Sequence, residues 1–218
     1  MNWDWAWTGD FSVELFTTGL KVTVQITLLG AVLAFTLGLV LALLRRSRTY
    51  WVSTPTRWFI EFVRSTPLLV QLFFLYYVVP GTFGIKASAL VTGVIALGVH
   101  YACYTSEVYR SGIDGVPKGQ WEAAIALNLP RARTWTSVIL PQAVRRVLPA
   151  LGNYLVAIFK ESPQLSIITV VDVIGFAQQL GSERFRYLEP LTLAGLFFLV
   201  LAIPSSILIR RMERRLEY

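Results

Sequence analysis

Two adjacent charges inside an apolar stretch are the sharpest candidates for chemistry in this sequence. In "YLVAIFKESPQLSII", Lys160 and Glu161 follow a largely apolar run and precede Ser162-Pro163. A charge held at membrane depth is costly and by default marks a substrate or ion path. Pro163 removes a helix hydrogen bond, so a helix is expected to break there. The freed backbone groups and helix ends of such a break can hold a polar ligand. Lys160, Glu161, Ser162 and Gln164 are therefore candidate pathway residues. The plainer alternative is an internal ion pair, or a pair lying at the outer membrane interface.

The remaining polar groups carry less. Glu107 with Arg110, and Glu61 with Arg64, have the i, i+3 spacing that pairs charges on one helix face, and both are read as orienting pairs at helix ends. Thr17, Thr18, Lys21 and Thr23 form a polar stretch that either touches an external protein or lets Lys21 snorkel to the interface. His100 and Cys103 are single of their kind, which leaves no ligand set for a metal and no internal disulfide. No catalytic residue and no metal ligand is assigned. No GxxxxGK pattern followed by Ser or Thr occurs, so the chain is not expected to bind ATP through a P-loop, and it is assigned no cofactor of its own.

The elements that position these residues are set by composition. Of the 218 residues, 55% are hydrophobic and only 15% charged, against about 25% charged in a soluble domain, and the mean hydropathy is +0.56. Long apolar runs make this an all-α integral membrane protein, read as one domain over residues 1–218. A bilayer core takes about 20 apolar residues in a helix, and five runs qualify: about 20–44, 58–79, 88–109, 147–172 and 188–209. The start "MNWDWAWTGDF" has no basic n-region or short apolar core and is not read as a cleaved signal peptide. Its tryptophans are read as an interfacial anchor.

The net charge of +7 does not point to nucleic acid, because no basic face is interleaved with stacking aromatics. The basic residues instead sit at the ends of apolar runs, where they orient a membrane protein. With the N-terminus outside, Arg45, Arg46, Arg48, Arg57, Arg64, Arg110, Lys118, Arg131, Arg133, Arg145, Arg146 and the "RRMERR" arginines all fall inside. Only Lys21, Lys86, Arg184 and Arg186 fall outside, and Lys160 lies within the fourth span. An N-out, C-in chain with an odd number of spans follows.

That orientation puts the longest internal loop, about 115–141, between the third and fourth spans. It reads as two short helices. Pro117 suits the start of the first. Asn128 tolerates the left-handed conformation that ends a helix, and Pro130 blocks its continuation. The second is expected to run from about Ala132 to Leu140 and to break at Pro141. On physical grounds alone this is either a solvated connector or a docking element.

The loop "EAAIALNLPRARTWTSVILPQ" resembles the EAA loop of ABC-importer permeases, through Glu122, Ala123, Ala124 and the closing Leu140-Pro141. Asn128 stands where that family has Gly, and Pro130 where Ser or Thr is common. "EFVRSTPLLVQLFFLYY", "YTSEVYRSGIDGVPKGQWEAA" and "NYLVAIFKESPQLSIITVVDV" are similar to segments of the polar amino acid permeases, with Ser65 where Gly is usual.

The resemblance implies a type I importer permease fold of five transmembrane helices in the bacterial inner membrane. It implies a coupling helix over Gly119 to Leu140, centred on Glu122, Ala123, Ala124 and Asn128, that docks on a cytoplasmic ATPase dimer. It further implies a second permease subunit, an extracytoplasmic solute-binding protein, and a substrate that is a polar amino acid or similar small zwitterion. Ectoine-type solutes fall within the group, and "GSERFRYLEPLTLAGLFFLVL" is similar to their permeases. The rival readings are an ion-coupled secondary transporter, using Lys160 and Glu161 as coupling groups, and a membrane enzyme or scaffold.

Overall fold

A computed structural model describes residues 3–216, and the described residues form helices and connecting turns without strands. Eight helices follow in order: α1 (Trp5–Arg45), α2 (Tyr50–Arg64), α3 (Leu68–Phe83), α4 (Ala89–Asp114), α5 (Lys118–Ala126), α6 (Arg131–Ile168), α7 (Val173–Arg184) and α8 (Leu188–Leu216). Three of them, α1, α4 and α8, are each long and apolar enough to cross a membrane. The bent pairs α2–α3 and α6–α7 raise the number to five if each pair is one span.

The centre is the pair α1 and α4. Small residues let their backbones approach, as is usual where lipid supplies no hydrophobic drive. Gly38 sits at the tightest point: a Cβ there would lie 2.1 Å from Thr105 Oγ1 and 2.9 Å from the Ala102 carbonyl oxygen. The Thr105 hydroxyl donates across the crossing to the Ala34 carbonyl at 2.9 Å. Around this pair, Ile26, Leu72, Leu97, Ile158, Leu165 and Ile168 form one buried core drawn from α1, α3, α4 and α6. Along α8, by contrast, Leu196, Leu199, Val200 and Ile203 are exposed, as a lipid-facing helix requires.

Several boundaries differ from those expected. The first helix begins at Trp5 rather than near residue 20 and is 41 residues long. Its early turns are held by tertiary packing: Trp7, Phe11 and Leu15 are buried against Val173, Ala177 and Ala194. Trp7 is thus a core residue, with the Arg184 and Arg186 guanidinium groups over its ring at 5.2 and 5.8 Å, and only Trp5 keeps the exposed position of an anchor. Thr23 is fully buried rather than part of a polar outer surface, and its hydroxyl accepts from the Val173 N–H at 3.2 Å.

The run 58–79 is not one straight span. It breaks at Ser65–Pro67, and α2 and α3 meet at 103°. Glu61 is exposed, and Arg64 pairs with Glu107 on α4 at 3.6 Å instead of with Glu61.

The fourth helix of the sequence reading, about 147–172, starts at Arg131, and no break occurs at Pro141. A π-helical turn at Thr134–Ile139 immediately precedes this proline, and another at Phe74–Val78 precedes Pro80. Widening the helix by one residue absorbs the missing N–H and the ring clash, so the rod continues. Pro163 does not break the helix as expected: α-helix gives way to 3₁₀ helix over Ser162–Ile168, and the bend, of 43°, comes between Ile168 and Val173.

Candidate translocation cleft and docking loop

Two irregular points of the fold meet. Where α2 breaks from α3 and where α6 tightens to 3₁₀, a cleft of about 410 Å³ opens, lined by Arg64, Ser65, Thr66, Pro67, Leu68, Leu69, His100, Tyr104, Glu161 and Gln164. The break leaves carbonyl groups without helical partners, and an apolar setting makes such orphans costly. Gln71 satisfies them: its amide donates to the Val63 carbonyl at 2.8 Å, the Thr66 carbonyl at 3.2 Å and the Thr66 hydroxyl at 2.7 Å. The remaining Gln71 oxygen meets His100 Nδ1 at 3.1 Å. The lone histidine is therefore part of the brace that holds the break open.

Arg64 is the dominant charge. Its guanidinium lies 5.2 Å from the centre of the Tyr104 ring, and the Tyr104 hydroxyl donates to the Arg64 carbonyl at 3.4 Å. Its Nε is buried and has no hydrogen-bond partner among the described residues, an uncommon and costly condition for a cationic donor. Glu161 approaches the buried Tyr101 behind the wall.

Two further cavities continue from this cleft. One of about 450 Å³ shares Arg64 and Tyr104 and adds Glu107, Arg146 and Tyr154. The next, of about 670 Å³, shares Arg146 and Ala150 and reaches Asn153 and Glu213. Together they form a polar trail along α4 and α6. Glu107 anchors its middle, receiving Arg110 at 2.9 Å as the spacing predicted, and also Arg45 and Arg64.

The four pathway candidates divide. Glu161 and Gln164 line the cleft. Lys160 is exposed on the neighbouring surface, and Ser162 is fully buried with its hydroxyl on the Phe159 carbonyl at 3.0 Å. Gln71 and Tyr104 were not singled out in sequence, nor were the roles of Arg64 and His100 at the cleft. Their signal was present, since polar side chains inside apolar runs need an explanation. Cys103 is buried in the core beside Leu41 and Ile60.

The loop after α4 is built as a rigid unit. Ile113, Val116, Ile139 and Ala143 are buried together beneath Trp121 and Trp135, whose rings meet edge to face at 5.2 Å. Gln142 donates to Gln120 at 3.1 Å, and Arg146 binds the Gly115 carbonyl. At its far end α5 closes in a Schellman motif: Asn128 takes φ 49°, its N–H bonds the Ile125 carbonyl at 2.9 Å, and the Leu129 N–H bonds the Ala124 carbonyl at 3.0 Å. This is the glycine-type cap, met here by the non-glycine residue best suited to it. Ala124 is buried against the loop, while Gly119, Glu122 and Ala123 are exposed beside Ile125 and Leu127, each 73% accessible. Leu140 and Pro141 lie further along, on the exposed side of α6.

Comparison with known proteins places the chain in a family. A family model described as "Binding-protein-dependent transport system inner membrane component" matches residues 34–218. A probable amino-acid ABC transporter permease of Sinorhizobium fredii is 52% identical over 201 residues, covering 92% of this chain and 87% of that one. The arginine transport system permease ArtQ of Bacillus subtilis is 34% identical, with 94% of each chain covered. A crystal structure of an amino acid ABC transporter with histidines superposes with a TM-score of 0.92 at 34% identity, over 99% of this chain and 100% of that one. An inward-facing MetNI methionine transporter, at 17% identity and a TM-score of 0.75, shares the fold.

Proposed function

Since the chain belongs to the family of binding-protein-dependent transport system inner membrane components, we propose that it is the permease subunit through which a polar amino acid, or a similarly small zwitterion, crosses the inner membrane. Homology supports an importer permease for amino acids. The observation that carries the finer reading is the cleft where two broken helices meet, with cationic Arg64 and anionic Glu161 among its walls. A substrate carboxylate matches the Arg64 guanidinium on the cleft wall. A substrate ammonium matches Glu161, with Gln164 and Tyr104 beside it.

Gly119, Glu122, Ala123 and Asn128 form the surface that receives force from an ATPase dimer, with Ala124 packed behind it against the loop and Leu140 and Pro141 at the base of the lever. Exposed Ile125 and Leu127 supply the apolar contact such docking needs. The rigid Trp121–Trp135 join carries motion into α4 and α6 as a rigid body. ATP is bound by that partner, and substrate arrives from an external solute-binding protein. A second permease subunit completes the pore, and the chain stands N-out and C-in.

The test is direct binding and uptake by the assembled transporter. Glu161→Gln and Arg64→Gln each remove one charge-assisted contact, so each is expected to raise the KM about tenfold. Zwitterion binding unchanged in both variants would remove the cleft from the pathway.

A further inference from the structure

We propose that α2 lies in the anionic headgroup layer of the cytoplasmic leaflet and anchors the broken α2–α3 hinge there through an aromatic stripe. The helix meets α3 at 103°, so the two cannot both stand along the membrane normal. Its fifteen residues divide among three faces. Ile60 and Val63 are buried against the protein. Trp51, Pro55, Trp58 and Phe62, at successive spacings of four, three and four residues, form one exposed stripe, with Trp51 83%, Trp58 73% and Phe62 68% accessible. Ser53, Arg57 and Glu61 occupy the third face. A tryptophan-rich stripe beside a polar face is the pattern of a helix lying in the interface plane.

Charge selects the lipid. Arg57 on α2 and Arg48 just before it are exposed and, among the described residues, hold no ion pair, unlike Arg45, Arg46 and Arg64. Exposed arginines beside an interfacial aromatic stripe suit anionic headgroups. A second protein chain is the competing occupant, but two unpaired arginines at its edge fit a phosphate surface better than an apolar seam. The placement on the cytoplasmic side rests on the N-out orientation proposed above.

The experiment places a spin label at each position from 51 to 62 of the full chain, in a Cys103→Ala background and in the assembled transporter. The vesicles are phosphatidylcholine with and without phosphatidylglycerol. Labels replacing Trp51, Trp58 and Phe62 are expected to collide with oxygen from about 5–10 Å below the phosphates. Labels at Ser53, Arg57 and Glu61 should collide with an aqueous nickel chelate. Phosphatidylglycerol should deepen the stripe in this chain and have no effect in Arg48→Gln/Arg57→Gln. Stripe labels shielded from both probes would mean a protein cover, and stripe labels open to nickel would mean solvent; either result overturns the proposal. A depth unmoved by phosphatidylglycerol overturns its anionic part. The depth pattern reads the same from either side of the membrane, so a wrong topology would leave it standing and be recognised separately.

Discussion

Asn128 shows how one backbone angle closes α5, the proposed coupling helix. Its φ of 49° turns the chain out of α5 and lets Leu129 bond back to Ala124. A β-branched residue there is strained by roughly 1–2 kcal/mol, while glycine is not. Asn128→Gly is therefore expected to keep ATP-coupled uptake, and Asn128→Val to lower it; parallel rates in uptake assays of the two variants would count against the turn's role. The side chain is exposed, so no packing loss blurs the comparison. Glu122 and Ala123 are exposed as well. Glu122→Arg and Ala123→Asp should leave membrane insertion intact and separate ATP hydrolysis from transport, measured side by side in the reconstituted complex.

Among the elements, the crossing of α1 and α4 is the most constrained. Gly38 meets Thr105 with no room for a methyl group, so Gly38→Val should cost about 1–3 kcal/mol through overpacking, read as a lower unfolding temperature in detergent. An unchanged temperature would show that the helices slide apart freely. At this scale the limits of the sequence are physical. The apolar lengths of α4 and α8 showed in the sequence because each is a single uninterrupted run. The break before α3 stayed hidden inside 58–79, because hydropathy averages across it. What stabilises it is tertiary, the Gln71 amide reaching back to Val63 and Thr66 and forward to His100. Pro141 was expected to stop a helix because propensity rules assume α pitch. The π turn at Thr134–Ile139 removes the conflict. The early turns of α1 were missed for the same kind of reason, since Trp7 and Leu15 are held by α7 and α8 rather than by local preference.

Across the whole molecule, the polar trail from Glu161 past Arg64 to Arg146 runs beside the two helices that carry the docking loop. In the proposed function, force applied at α5 reaches α4 and α6, which form the walls of that trail. The turn at Asn128 was legible from residue types, and so was an irregularity at Pro163, found as the change to 3₁₀ helix. Which of Lys160, Glu161, Ser162 and Gln164 face the cleft was not, because adjacent residues on a tightening helix point to different sides. Arg64 was misassigned to Glu61 because local spacing cannot show Glu107 arriving from α4. Chemical labelling of single cysteines at the two ends of the chain in intact cells should find the N-terminal site open from outside and the C-terminal site closed.

The central claim is that this chain moves a small zwitterion by borrowing ATP energy through α5. Uptake of labelled amino acid into proteoliposomes holding the permease, its ATPase and its binding protein tests it most directly. The account predicts uptake that requires ATP on the side of the docking loop, survives collapse of the proton and sodium gradients, and is lost in Glu122→Arg. Uptake by the permease alone, driven by an ion gradient without ATP, would contradict it.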